Sequence, residues 1–339
     1  MILVIGAAGF IGRYTVEQLL ADGKQVFATS TRECNRSLFE RQGVGFTTLD
    51  LNVPSDFENL PREGVEAVIL LGGLLPANAK ADLMHEENAA DYFRVNVIGT
   101  INVLEYCRKN GIRKVIGCCS YSDVAKSWKK SVMITEEEPR NFYFTGDHAV
   151  YVISKNAAND VMEYYNQQHN MQCAWFRFPP VYGVGPHGTI YVKGKPYKSG
   201  IQTFIEKAQK GQDIEIWGDP HITRDIIYVK DVAKAFSLAV ESDKAYGLYN
   251  MTSGTELDLE DQVKAVIEVF GNPKCPSRIV YRPDKSNNTP SFLFDMSKAK
   301  RDFGFVPQYT SYLEMMYDYK KELESGRWDE MVHEREKKE

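Results

Sequence analysis

From the first residue onward, apolar runs and helically spaced apolar positions take turns along the chain. MILVIG is a short unbroken apolar run that ends in glycine, and Phe10 to Asp22 then places apolar residues at helical spacing. KQVFATST and VGFTTLDL predict two further strands separated by polar material, and EAVILLGG is another apolar run ended by glycine. A long helical stretch from about Ala89 to Asn110 leads into the strand RKVIGCCS. MQCAWFRFPP predicts a sixth strand, stopped by Pro179 and Pro180. Strands of nearly continuous apolar character that alternate with helices require a parallel sheet covered on both faces. The prediction is therefore an α/β fold, a Rossmann-type doubly wound parallel sheet. After Pro180 the pattern changes to VYGVGPHGTIYVKGKPYKSG, with shorter elements and no clean alternation, which predicts a smaller region closing over the sheet. The charged end EREKKE reads as a frayed helix or tail.

Composition narrows the picture by exclusion. The chain has 339 residues, 43% of them hydrophobic and 26% charged, which argues against wholesale disorder. A net charge of −5 gives no electrostatic reason to expect nucleic acid or a membrane surface as partner. No apolar run reaches bilayer-spanning length, and MILVIGAAGF lacks the basic start of a signal peptide. The six cysteines (Cys34, Cys107, Cys118, Cys119, Cys173 and Cys275) form no CxxC metal pattern. Adjacent Cys118 and Cys119 read as small buried hydrophobes, no metal is expected, and the compartment is read as cytoplasmic.

The chemistry starts at GAAGFIG, where Gly6, Gly9 and Gly12 lie between a strand and a helix. One glycine permits the tight turn, another lets backbone amides approach a pyrophosphate, and the last lets helix and strand pack closely. The helix N-terminus, at Phe10 and Ile11, adds unpaired N–H groups and the positive dipole end. This is a dinucleotide-binding turn. About 20 residues on, where a carboxylate usually holds the adenosine ribose, stands Ala28-Thr29-Ser30-Thr31-Arg32. Ser30, Arg32 and Arg36 offer donors to a 2′-phosphate, so NADP is favoured over NAD, with a solvated Arg32 as the alternative.

YVISK places Tyr151 and Lys155 four apart on one helical face. A phenol with a free pKa of about 10 acts as a base near neutrality only with positive charge beside it, which Lys155 and an oxidised nicotinamide supply. CCSYS ends the strand that begins at Arg113 and offers two hydroxyls: Ser120 for the reacting substrate oxygen and Ser122 on the same side.

With these motifs in place, the chain resembles the extended short-chain dehydrogenase/reductases of the NAD-dependent epimerase/dehydratase group, over nearly its whole length. GAAGFIG resembles that family's phosphate turn, and LDL (Asp50, Leu51) its adenine-contacting acidic turn. Leu70 to Gly73, with Leu71 and Gly72, stands where the family has a small-residue turn beside the cofactor. VNVIGT with Asn96 matches the asparagine helix and YVISK the Tyr-Lys motif. RFPPVYG, with Pro179 and Val181, resembles the segment beside the nicotinamide. IEIWGDPHITRDIIYVKDVAKA, with Arg224, Asp225 and Asp231, matches the return segment, and YRPDK with DMSKAKRDFGFVP the C-terminal signature.

The resemblance implies a dinucleotide domain over residues 1–178, with a return segment at about 222–250, and a substrate-binding domain from 179–221 and 251–339. It also implies that Arg224 and Arg282 grip the diphosphate of a nucleotide-sugar; the competing reading is a pair of structural ion pairs, Arg224–Asp225 and Arg282–Asp284. His148, His187 and His221 receive no chemistry. A homodimer is implied through the helices around Ala89 to Asn110 and Tyr151 to His169. Family dehydratases carry Asp-Glu after the hydroxyl residue, and the analogous decarboxylases a glutamate at the Ser122 place. Here Tyr121 and Ser122 stand in those positions and Asp123 comes one later, which disfavours both reactions. The Ser120-x-Ser122 pair resembles sugar 4-epimerases, so the expected function is epimerisation of a nucleotide-sugar by transient hydride transfer. An NADP-dependent reductase of a sugar or other carbonyl compound is the runner-up. A non-catalytic dinucleotide-sensing regulator is the alternative from another class.

Overall fold

In the computed structural model, the structure describes residues 1–76, 88–129, 132–185, 189–192, 195–287 and 290–328. The charged tail and His187 lie outside them. A seven-stranded sheet forms the centre. Its strands are β1 (Ile2–Ile5), β2 (Val26–Ser30), β3 (Gly45–Thr48), β4 (Ala67–Leu70), β5 (Lys114–Ser120), β6 (Gln172–Phe178) and β7 (Gly247–Asn250). They lie in the order β7-β6-β5-β4-β1-β2-β3, and every neighbouring pair is parallel. Chain order reverses between β1 and β4, and the crevice at the carboxyl ends of strands at such a switch point is where open α/β sheets bind ligands. The sheet is thus the Rossmann-type parallel sheet expected from the sequence, with one more strand than was predicted. GLYN at β7 is too short to stand out as an apolar run.

Period-two alternation explains how the sheet is covered on both faces. Ile2, Val4, Ala67, Ile69, Ile116, Ala174 and Phe176 share one core with Val16 and Leu19 of α1 (Phe10–Ala21). Leu3, Ile5, Val68, Leu70, Val115 and Trp175 point to the other face. There they meet Val103 and Leu104 of α2 (Gly99–Lys109) and Met162 and Tyr165 of α3 (Ala149–His169). On the first face α1 packs beside α4 (Val229–Glu241), and on the second α2 packs beside α3. The long helical stretch predicted from Ala89 to Asn110 is not uniform. It begins as a short α-helix (Ala89–Tyr92) and widens into a π-helical stretch (Phe93–Ile98) before α2. Such widening is frequent at functional sites, and here it carries Asn96.

The return segment forms two short pairings outside the central sheet. Thr223–Arg224 runs antiparallel to Leu257–Asp258, and Ile227–Tyr228 runs parallel to Val181–Tyr182. A separate apolar cluster joins Ile214 and Ile216, α5 (Leu259–Phe270) and α6 (Tyr312–Glu324) to Tyr14 of α1. Trp328 closes this cluster, its ring centroid 5.7 Å from Tyr14 and 6.3 Å from Phe10, with the Arg13 guanidinium 4.8 Å above it. Among the described residues, no helix is long and apolar enough to cross a membrane.

Candidate active site

The phosphate turn is built from backbone. Gly6 has φ +81°, and a Cβ there would stand 2.7 Å from the Gly72 nitrogen, so only glycine fits between the tips of β1 and β4. A Cβ on Gly12 would collide with the Gly6 carbonyl and come within 2.8 Å of the Ala7 backbone, which lets α1 lie close to the turn. Gly9 caps α1 without a side-chain hydrogen bond, and the first intrahelical bond runs from the Arg13 N–H to its carbonyl at 3.0 Å. Phe10, Ile11 and Gly12 thus form the first turn of α1 directly behind the glycine turn, and a helix N-terminus in that place is an anion-binding arrangement. These observations fit a dinucleotide pyrophosphate.

Beyond β2, the buried Ser30 oxygen accepts from the Asn35 side chain at 2.8 Å and the Arg32 N–H at 3.3 Å, so it also shapes its own turn. Arg32 is exposed. Arg36 is paired with Glu33 and Glu40 and donates to the Phe46 carbonyl at 3.1 Å, which commits it to local structure. Asp50 is exposed and accepts from the Asn52 N–H at 2.9 Å. Leu51 is buried, and its side chain packs against the backbone of Gly72 and Gly99.

Asn96 does more than its motif suggests. Buried in the π-helical stretch, its Oδ1 accepts from the Leu74 N–H at 2.8 Å, while its Nδ2 donates to the Ser154 Oγ at 3.0 Å. The Ser154 hydroxyl in turn donates to the Tyr151 carbonyl at 2.8 Å. One amide thus fixes the loop that follows Leu71, Gly72 and Gly73 against the turn of α3 that carries Tyr151. A Cβ on Gly73 would come within 3.2 Å of the same Asn96 oxygen.

Tyr151 and Lys155 are half-buried on α3, and both lie in the electrostatic field of Cys118 and Cys119, the residues before Ser120 on β5. Tyr151 and Lys155 thus lie near the end of β5 that leads into Ser120. Burial pushes the Tyr151 phenol well up, and Cys118, Cys119, Tyr121 and Tyr92 push the same way; the Tyr92 ring is 6.2 Å away. Burial also lowers the Lys155 ammonium. Both shifts favour the neutral forms, so the protein's own groups hold Tyr151 as a phenol, against the direction expected from Lys155 alone. Ser120 is buried, and its Oγ accepts from the Ser122 N–H at 3.2 Å; Ser122 itself is half-buried.

Directly below lies an ion pair that the motifs do not reveal. Asp123 and Arg177 are both buried, with the Arg177 Nη2 2.8 Å from the Asp123 Oδ2 and Nη1 3.1 Å from the Asn250 Oδ1. Arg177 stands opposite Cys119 in the β5–β6 register, so the pair ties the serine turn to β6 and β7. The signal was an arginine inside the apolar strand MQCAWFRF, which needs a buried counter-charge.

Of the two arginines expected to anchor a diphosphate, Arg224 is half-buried and its Nη1 donates to the Tyr182 hydroxyl at 3.4 Å. Asp225 turns inward instead of serving as a surface counter-ion: its oxygens accept from the Thr252 hydroxyl and, at 2.9 Å, the Phe294 N–H. Its burial raises the carboxyl to about 7. Arg282 does form the weighed ion pair with Asp284, at 3.0 Å, and a second with Glu215, also at 3.0 Å. His221 is exposed and paired with Asp258 at 2.9 Å, and His148 is exposed where α3 begins. Pro179 is buried beyond β6, and Val181 is half-buried.

Comparisons with known proteins bear on the family and the fold. The profile of the NAD dependent epimerase/dehydratase family matches residues 2–252. A putative UDP-glucose 4-epimerase from Methanocaldococcus jannaschii is 27% identical over 310 residues, covering 91% of this chain and 93% of that protein. A dTDP-4-dehydro-6-deoxy-D-allose reductase from a Streptomyces species is 27% identical, covering 91% of each. The structure of Thermotoga maritima UDP-glucose 4-epimerase with UDP-glucose superposes with a TM-score of 0.75 at 24% identity, covering 96% of this chain and 98% of that one. This last likeness is one of fold.

Proposed function

We propose a function for this chain from one established premise: it belongs to the NAD dependent epimerase/dehydratase family. It is an enzyme of the extended short-chain dehydrogenase type, with similarity to nucleotide-sugar epimerases and reductases. Our reading is an epimerase acting on a nucleotide-sugar. The observation that supports it is that Tyr151 and Lys155 lie within electrostatic reach of Cys118 and Cys119, which lead into Ser120, in a chain whose phosphate turn accepts only glycine at Gly6. When bound, the dinucleotide supplies a reversible hydride acceptor. Ser120 bonds the reacting oxygen of the sugar, Tyr151 takes and returns its proton, and Lys155 stabilises the phenolate against its burial. Ser122 is a second hydroxyl at the same tip, absent the Asp-Glu pair of a dehydratase. Gly6, Gly9 and the N–H groups of Phe10, Ile11 and Gly12 hold the pyrophosphate. Asp50, Leu51, Leu71 to Gly73, Asn96, Pro179 and Val181 line the rest of the dinucleotide site. Arg224 and Arg282 anchor the diphosphate within a substrate region of residues 179–221 and 251–339.

The test is incubation of the protein with UDP- and dTDP-sugars while NMR follows the sugar carbons. Inversion at one carbon without net consumption of dinucleotide supports the reading; stoichiometric loss of NADPH with reduction of a keto-sugar overturns it in favour of a reductase.

That second reading has its own support. Tyr151 is held as a phenol, the form that donates a proton to a carbonyl oxygen. No carboxylate follows Ser30 on the β2 tip, and Arg32 is exposed there to meet a 2′-phosphate, which favours NADP. Arg32→Ala should then weaken NADPH about tenfold or more and leave NADH unchanged. Equal losses, or none, would assign NAD.

The assembly we propose is a homodimer. Phe93 and Ile98 of the π-helical stretch and Tyr164 of α3 are exposed apolar groups on the helices expected to pair. Sedimentation at a monomer's mass would contradict it.

A further inference from the structure

The turn that follows β5 is held from two directions. Ser120 caps the short helical stretch Tyr121–Ser127, and within it the Asp123 carboxylate is paired with Arg177, which the register fixes opposite Cys119. That pair ties the turn to the sheet. The second hold comes from the segment that leads into α3. The Asn141 N–H donates to the Asp123 carbonyl at 2.8 Å, and the Asn141 carbonyl accepts from the Lys126 N–H, also at 2.8 Å. The Lys126 ammonium lies 5.2 Å from the centroid of the Tyr143 ring. One residue before Asn141, the Arg140 guanidinium grips the Asp160 carboxylate with two hydrogen bonds, Nη1 to Oδ2 at 2.9 Å and Nη2 to Oδ1 at 2.7 Å. Asp160 stands on α3, the helix that carries Tyr151 and Lys155. Arg140 and Asn141 are adjacent, so one short link runs from the backbone of the serine turn to the helix of the tyrosine and lysine.

We propose that Arg140 is a positioning residue, which through Asp160 and Asn141 sets where Ser120 stands relative to Tyr151 and Lys155. This rests on the epimerase reading above, in which Ser120 and Tyr151 serve the same substrate oxygen. The two come from different elements, a strand end and a helix, so their separation depends on how those elements are joined. Reacting groups must be aligned at about 3–3.5 Å, and a misplacement of about 1 Å can cost on the order of 10²-fold in rate. A bidentate guanidinium–carboxylate pair fixes angle as well as distance. Both Asn141 bonds are backbone to backbone, so they carry that fixed position into the turn without an intervening rotamer. The guanidinium is engaged by Asp160, and Arg140 acts through the link and not on the substrate.

The test uses the full chain with its dinucleotide. NMR follows inversion in a panel of UDP- and dTDP-sugars, UDP-glucose among them, beside urea denaturation and dinucleotide titration. Arg140→Gln and Asp160→Asn should each lower kcat about tenfold, part of the cost of a misplaced group, with KM and dinucleotide affinity unchanged. Because both partners are exposed, the urea midpoint should stay where it was. Arg140→Lys keeps the charge without the fork and should fall between the parent and Arg140→Gln. Arg140→Asp combined with Asp160→Arg should recover most of the lost turnover. Parent-like kcat in Arg140→Gln, a kcat that falls only together with the urea midpoint, or a double variant no better than the single ones overturns the proposal and leaves the epimerase reading intact. A parent protein that inverts no sugar in the panel overturns that reading itself, and this inference with it.

Discussion

The two ends of the cleft are made from different materials. At the dinucleotide end, the turn from Gly6 to Gly12 and the facing Gly72 are shaped by what is missing, since a single Cβ at Gly6 or Gly12 would meet backbone. At the end proposed for the substrate, side chains carry the geometry: Arg282 is shared between Glu215 and Asp284, and Arg224 reaches the Tyr182 hydroxyl. A backbone-built site is rigid and indifferent to the chemistry of its neighbours. A side-chain-built site can be retuned one residue at a time. This difference teaches why a fold can keep its cofactor end while its substrate end diverges, and it says where substitutions should show.

The largest effect is expected at the junction. Tyr151→Phe should lower turnover by about 10²–10⁴-fold and leave dinucleotide affinity nearly unchanged, because the dinucleotide end does not depend on a phenolic proton. Turnover measured beside dinucleotide titration separates the two. A large loss of dinucleotide binding would break the comparison.

Next comes the ion pair beneath the serine turn. Asp123→Ala strands the Arg177 guanidinium in a buried site, and breaking a buried pair from one side costs roughly 3–5 kcal/mol. Urea denaturation checks this. A cost under about 1 kcal/mol would mean that the pair behaves as a surface one.

At the substrate end, Arg224→Ala or Arg282→Ala should weaken nucleoside diphosphate binding about ten- to a hundredfold, since charge-assisted hydrogen bonds are worth roughly 1.5–3 kcal/mol. Dinucleotide affinity should not change. Because the Arg282 pairs are partly exposed, its removal should shift stability by less than about 1 kcal/mol. Calorimetry and denaturation of the same two variants test both halves of the statement.

A further effect is a pH dependence. Burial holds Asp225 at about 7 in the folded chain, against about 3.9 for a free side chain. Between those values the unfolded chain has lost the proton and the folded chain keeps it, so this group makes stability fall as pH rises through that window. Asp225→Asn should flatten that part of the stability profile. An unchanged slope would assign it to other groups.

Much of this was legible in the sequence for physical reasons. Strands buried on both faces read as unbroken apolar runs, which is why β1, β4, β5 and β6 stand out, and the glycine turn advertises itself because no other residue fits. What stayed hidden depends on partners far apart in the chain. Arg177 sits in the apolar strand β6, but nothing local names Asp123 as its counter-charge. The stack of Tyr121, Trp128 and Phe292 brings together residues from opposite halves of the chain. Asp225, weighed as an ion-pair partner of Arg224, is buried, and Thr252 and Phe294 supply its donors.

The roof that Trp328 places over α1 has a consequence for how the chain is made. Glu17 and Arg327, which meet beside that ring, are 310 residues apart. At synthesis rates of roughly 5–20 residues per second, α1 waits about 15–60 s between leaving the ribosome and receiving its cover. For that interval Phe10 and Tyr14 present an aromatic surface that Trp328 has yet to cover. The turn from Gly6 to Gly12 is thus synthesised well before the residues that enclose it.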